Sequence, residues 1–123
     1  MSKQLAPWCP VAATVDVIGG KWKPTILFHL KDRPRRFNEL RRLMPDITQR
    51  MLTLQLRSLE DDGIVSRTVH EVVPPWVEYA FTERGLTLGP LLDAMEDWGH
   101  AYGKPLSHGE RRDPPRSGGR VRG

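Results

Sequence analysis

The chain has 123 residues, with 19 Lys and Arg against 15 Asp and Glu, a net charge of +4, and one cysteine. That length suits a single domain with its own hydrophobic core, and a lone cysteine excludes an internal disulfide or a cysteine-rich zinc site. No apolar run is long enough to span a membrane and no basic-then-apolar order marks a secretory signal, so the expectation is a soluble protein of a reducing cytoplasm with no membrane partner.

Charge is unevenly distributed along the chain. Residues 1–20 balance, whereas residues 21–57 hold ten bases against three acids, a local +7 that suits a polyanionic partner. Residues 58–103 reverse this with two bases against nine acids, and residues 104–123 hold six against two. The last segment is rich in Gly, Pro and Arg and too poor in apolar groups to offset the entropy of ordering, so it reads as a disordered basic tail. Such a tail is either a solvated end or an arm with sequence-blind attraction to nucleic acid.

A first helix is expected to open at Pro10, where a missing N–H costs nothing, with Val11, Val15 and Ile18 at helical spacing and Gly19-Gly20 as its stop. Cys9 then falls at the cap, where the helix dipole attracts negative charge. A second helix should run from about Pro24 to Lys31 on the stripe Ile26, Leu27, Leu30. Arg35-Arg36-Phe37 reads as a brief extended piece. Asn38 reads as the cap of a third helix with Phe37, Leu40, Leu43 and Met44 inward, ended by Pro45. The fourth helix is capped by Thr48 and closed by Gly63, about 14 residues in all. Leu52, Gln55, Leu56 and Leu59 share its inner face, which leaves Gln49, Arg50, Thr53, Leu54 and Arg57 pointing elsewhere.

Beyond Gly63 the period changes from 3.6 to 2. Residues 64–72 and 77–81 read as a hairpin around Pro74-Pro75. Thr82 caps a final helical region, interrupted near Gly89-Pro90, whose Leu88, Leu91, Leu92, Met95, Trp98 and Tyr102 make a wide apolar stripe. Helices followed by a hairpin give a mainly α chain with a small β-hairpin, an α+β winged helix-turn-helix. The third and fourth helices form the helix-turn-helix and residues 64–81 the wing. The expected division is 1–103 as one winged helix-turn-helix domain, with 104–123 as the tail.

Five fragments in order carry a further likeness: Cys9-Pro10-Val11; Ile18-Gly19-Gly20-Lys21-Trp22; Arg35 through Leu40, RRFNEL; Leu56 through Gly63, LRSLEDDG; and Pro74 through Tyr79, PPWVEY. Over about residues 8–103 the chain resembles the HxlR-type family of bacterial winged-helix transcriptional regulators. The resemblance implies a homodimer, by family habit a repressor, on a roughly palindromic double-stranded operator. It further implies the fourth helix in the major groove, the wing at the flanking minor groove, and a dimer built from the first and last helices. Trp8, Val11 and Val15 on the first, with Leu91, Met95, Trp98 and Tyr102 on the last, are the residues for that interface. By the same resemblance, Trp76 stands where Lys or Arg is more usual at the wing tip, and Leu54 stands where a polar base-reading residue is common, which means either contact with a thymine methyl or a different operator.

Gln49, Arg50, Thr53 and Arg57, beside the cap Thr48, have the chemistry of direct readout: Gln pairs with adenine, Arg with guanine, and Thr with base or phosphate. Arg50, near the helix N-terminus, is the candidate base reader, and Arg57 the candidate phosphate holder. Arg35, Arg36, Arg41 and Arg42 flank the third helix, where they would position the protein on phosphates; their alternative is pairing with Glu39 or Asp46. Lys21 and Lys23 are weaker candidates of the same kind. His29, His70, His100 and His108 lack metal-like spacing, and no nucleophile motif or phosphate-cradling loop is present. The expectation is therefore a non-enzyme without cofactor or metal.

Two readings of Cys9 stand. Several members of the resembling family use a cysteine in the matching place to sense electrophiles, quinones, aldehydes or oxidants. Against that, cysteine is often a small buried hydrophobe, and Trp8 beside it can shield it. The rival to DNA binding is a winged-helix protein-interaction module without specific duplex binding.

Overall fold

In the computed structural model, which describes residues 8–104, Pro10 does open the first helix, α1 (Pro10–Ile18). Cys9 occupies its N-cap in extended backbone, and its Sγ accepts from the Ala12 N–H at 3.4 Å. The elements that follow are α2 (Lys23–Leu30), β1 (Arg35–Arg36), α3 (Phe37–Leu43), α4 (Gln49–Asp61), β2 (Val65–His70), β3 (Trp76–Phe81), α5 (Glu83–Leu86) and α6 (Gly89–Tyr102). The chain divides into two units after Leu88, with α6 alone as the described helix of the second.

Three departures from the expected pattern have physical causes. The cap of α3 is Arg36 rather than Asn38, because Glu39 at the third helical position reaches back to accept the Arg36 backbone N–H at 3.3 Å. Phe37 thereby becomes the first helical residue, with its ring 6.5 Å from that of Tyr79. Leu43, expected inward, is exposed; Leu40, Met44 and Ile47 fill that side of the core instead. Finally, the hairpin is joined by a third short strand. β1 pairs antiparallel with β3, giving the order β1-β3-β2, with Arg36 opposite Glu78 and His70 opposite Trp76. Strand pairing stops at those two residues, before Pro74 and Pro75, which have no N–H to donate.

Helix α4 is held at both ends by groups the sequence supplies. Thr48 Oγ1 accepts the Met51 N–H at 3.0 Å. At the other end Gly63 adopts φ +76°, so that its N–H reaches Glu60 O at 2.9 Å and the Ile64 N–H reaches Leu59 O at 2.9 Å. This crossed pair satisfies the last carbonyls and turns the chain directly into β2. Between these ends Leu52, Leu56 and Leu59 are fully buried with Ile26, Leu27, Leu40 and Val65, and α4 packs on α2 and β2. The base of the wing is pinned as well. Thr82 Oγ1 accepts the Gly85 N–H at 2.9 Å and donates to Gly63 O at 2.6 Å. A Cβ on Gly85 would lie 2.1 Å from Ile64 O, so only glycine lets α5 approach β2 so closely.

Helix α6 carries Leu91, Met95, Trp98 and Tyr102 at spacings of 4, 3 and 4 residues, one face of the helix, with the Trp98 and Tyr102 ring centroids 5.3 Å apart. Of the tail read over residues 104–123, all but Lys104 lies outside the described residues.

Candidate nucleic-acid interface

Burying one face of α4 necessarily presents the other. Gln49, Arg50, Leu54 and Arg57 are exposed, Thr53 is half-buried, and together they line a shallow concavity of about 510 Å3. Thr53 Oγ1 donates to Gln49 O at 2.9 Å, which fixes its hydroxyl on the helix wall. Among the described residues no hydrogen bond or ion pair engages the side chains of Arg50, Arg57 or Arg42. Arg41 reaches only Gln49 Oε1, at 3.5 Å, the outer limit of a hydrogen bond. These guanidiniums keep their donor edges toward solvent, as groups that meet phosphate or a base edge must.

Arg35 behaves differently. Its side chain is 13% exposed, donating from Nε to His29 O at 2.9 Å and from a terminal nitrogen to Glu39 Oε2 at 2.9 Å. Arg33 bonds the same carboxylate oxygen. The pairing alternative raised for the arginines near α3 is thus realised at Arg35 through Glu39, while Arg36 and Arg42 remain outward. Partial burial alone would raise the Glu39 carboxyl, but the bonds from Arg35, Arg33 and the Arg36 N–H, with the Arg33 charge, hold it at about 2. Burial and then the Arg35 charge push the His29 imidazole below its ordinary value, with Asp32 opposing, so His29 adds no positive charge to this surface at neutral pH.

Because Glu39 binds its proton less readily when folded than when unfolded, its network stabilises fully above the ordinary carboxyl value of 4.5. That contribution fades as pH falls from there toward about 2. Glu39→Gln is expected to cost about 1–3 kcal/mol at pH 7, because Arg35 loses its partner in a partly buried setting. In urea denaturation the gap between variant and wild type should be clear at pH 7 and narrow at pH 3.

The wing tip holds its own cluster. The Trp76 ring stacks on His70 with centroids 3.9 Å apart and planes at 15°, and the Arg36 guanidinium lies 3.8 Å from the Trp76 centroid. His70 Nε2 is 3.1 Å from Glu78 Oε1. A cleft of about 370 Å3 opens beside this stack toward Asn38 and Arg42 of α3. In the sequence Arg36 and Trp76 are separate candidates and His70 has no evident role. The hairpin's period of 2, carried across Pro74-Pro75, could have put His70 opposite Trp76, but nothing in the sequence signalled that Arg36 pairs onto the same sheet.

Lys21 and Lys23, the weaker candidates for phosphate, have partners elsewhere. The Lys21 ammonium sits 4.8 Å over the Trp22 ring, and Lys23 Nζ donates to Ser58 Oγ at 2.8 Å. Cys9 is exposed and Trp8 is 78% exposed, so Trp8 does not bury the thiol. Val11 and Val15 are exposed on α1, as are Leu91, Met95, Trp98 and Tyr102 on α6. Among the described residues no cluster of His, Cys, Asp or Glu could hold a metal ion, and no helix is long and apolar enough to cross a membrane.

Comparison with known proteins agrees with this arrangement. A family model described as HxlR-like helix-turn-helix matches residues 17–107. The uncharacterized HTH-type transcriptional regulator YdeP of Bacillus subtilis (strain 168) is 60% identical over 94 residues, covering 76% of this chain and 73% of YdeP. Among solved structures, the redox regulator HypR in its oxidized form is 60% identical with a TM-score of 0.72, over 75% of this chain and 95% of that one. HypR in its reduced form is 59% identical with the same TM-score, over 75% and 91%. The relatives are transcriptional regulators rather than enzymes, and the chain belongs to the HxlR-like winged helix-turn-helix family of DNA-binding transcriptional regulators.

Proposed function

We propose that the protein works as a homodimer on a roughly palindromic operator, more in the manner of a repressor than an activator, with α4 of each protomer in the major groove. The observation that carries this is the exposed face of α4, where Arg50 and Arg57 stand without ion pair or hydrogen bond among the described residues, beside Gln49, Thr53 and Leu54. Arg50 reads a base, Arg57 and Arg42 hold phosphate, and Leu54 meets a thymine methyl. Thr48 caps the helix at the end that leads into the groove, so that its hydroxyl stands close to the duplex backbone. Arg35, tied to His29 and Glu39, positions the start of α3 instead of touching DNA. Glu60, Asp61 and Asp62, at the far end of α4 from the Thr48 cap, lie away from the duplex, which they would otherwise repel.

Large apolar side chains left open to water support the dimer. Trp8, Val11 and Val15 are 78, 71 and 56% exposed, and Leu91, Met95, Trp98 and Tyr102 between 38 and 63%. Surfaces of this kind on a monomer mark association sites. A gel shift with duplexes selected from a random library, run at two salt concentrations, tests the reading. Affinity should fall steeply with salt. Absence of salt-dependent duplex binding would favour the protein-interaction module.

The second element of the proposal is Cys9 as a sensor thiol for small electrophiles or oxidants. It is exposed at a helix N-cap, and the similar structures of HypR are of a redox regulator in two oxidation states. With one cysteine per chain, a disulfide can form only between two chains or with a small thiol. Treatment with diamide or a quinone is expected to release wild type from its operator and leave Cys9→Ser bound. Equal release of both, or of neither, returns Cys9 to a purely capping role.

A further inference from the structure

The wing tip carries an aromatic ring, Trp76, as the first residue of β3. In a sheet of order β1-β3-β2, residues opposite each other and residues two apart on one strand share a face. Arg36 opposes Glu78, Trp76 opposes His70, and Trp76 and Glu78 are two apart on the central strand. Four side chains from three strands therefore meet on the face away from Tyr79. Trp76 is flanked by Arg36 from one neighbouring strand and by His70 from the other, at 3.8 and 3.9 Å. The carboxylate of Glu78 is engaged with His70 at 3.1 Å rather than with Arg36.

The consequence lies in how a guanidinium binds. Held against the face of a ring, as Arg36 is at 3.8 Å from the Trp76 centroid, it is restricted in place while it still has N–H donors to offer. Among the described residues no carboxylate pairs with the Arg36 side chain, and the adjacent cleft of about 370 Å3, which reaches round the sheet edge to Val77 and Tyr79, is lined by Asn38, Arg42 and Glu39 as well. Two guanidiniums and an amide line a space that easily admits a phosphate, and the one carboxylate in its wall, Glu39, is already bonded by Arg33 and Arg35, so the donors are open to an anion with tetrahedral oxygens.

Resting on the DNA-binding reading above, we infer that this cleft is the seat of a DNA phosphodiester beside the half-site, and that Trp76 is a positioning residue that holds Arg36 for it. The cation comes from β1 and is held at the wing by the Trp76 ring. Trp76 itself donates nothing to the phosphate; it acts by restricting Arg36, so the two residues work as one unit.

The test is a double-mutant cycle on the full chain, with Kd for a selected operator duplex measured across salt concentrations. Arg36→Gln should weaken binding about tenfold to operator and random duplex alike and reduce the salt slope by about one. Trp76→Ala should weaken both about three- to fivefold. The double variant should be no weaker than Arg36→Gln alone. Trp76→Phe, which keeps a ring face, should restore binding, and Trp76→Leu, which keeps bulk without one, should not. Comparable thermal midpoints for the Phe and Leu variants separate positioning from wing folding. Losses that multiply in the double variant, or equal rescue by Phe and Leu, overturn the role of Trp76 while leaving operator binding intact. Wild type without salt-dependent duplex binding overturns both the role and the reading beneath it.

Discussion

Arg50→Ala is expected to lower affinity for the operator roughly 5- to 150-fold, the range of one lost bidentate base contact, while random duplex binds within about twofold of wild type. The reason is local. Arg50 is the second residue of α4, next to the Thr48 cap, at the end that enters a groove first. It is exposed and has no hydrogen bond or ion pair among the described residues, so its removal costs the folded chain little. Arg42→Ala is the natural control: if it meets phosphate, it should weaken operator and random duplex alike. Competition binding with both duplexes in one titration reads the ratio directly, and equal losses for Arg50→Ala would remove its base-reading role.

A second large effect is expected from the stripe on α6. Trp98→Glu places a carboxylate in the middle of a face made by Leu91, Met95, Trp98 and Tyr102. If that face is covered in the dimer, the charge must be desolvated without a partner. The dimer dissociation constant should rise at least about 30-fold, the scale of an interface hot spot. Sedimentation velocity should show a monomer near 14.1 kDa in place of twice that mass. Operator affinity should fall with it, because two half-sites held by one linked dimer become two separate binding events. A variant that remains dimeric places the interface elsewhere.

Much of the fold was legible because its ends are written in local chemistry. Cys9-Pro10, Thr48 and Thr82 each mark a helix start that depends only on neighbouring backbone N–H groups, and all three act as caps. Gly63 marks the turn into the wing because a positive φ is needed there. What escaped depends on contacts distant in sequence. Asn38 is a better intrinsic cap than Arg36, yet Glu39, fixed by Arg33 and Arg35, moves the start of α3 back by two residues. The strand nature of Arg35-Arg36 was readable, but its partner, β3, lies some forty residues on.

The candidate site divides the same way. Exposure of the Gln49, Arg50, Leu54 and Arg57 face follows from the helical period once Leu52, Leu56 and Leu59 are buried. Sequence alone cannot rank four arginines around α3, since all carry the same charge. Packing does so: Arg35 is drawn inward to His29 and Glu39, Arg36 lies against Trp76, and Arg42 stays open.

Dimethyl sulfate footprinting on a selected operator tests the central claim most directly, because the reagent marks guanine N7 in the major groove and adenine N3 in the minor groove. Two α4 helices in successive major grooves predict two clusters of guanine protection, about one helical turn or roughly 34 Å apart, related by the symmetry of the site. A single cluster, or protection of adenines without guanines, would contradict a homodimer that reads DNA with α4.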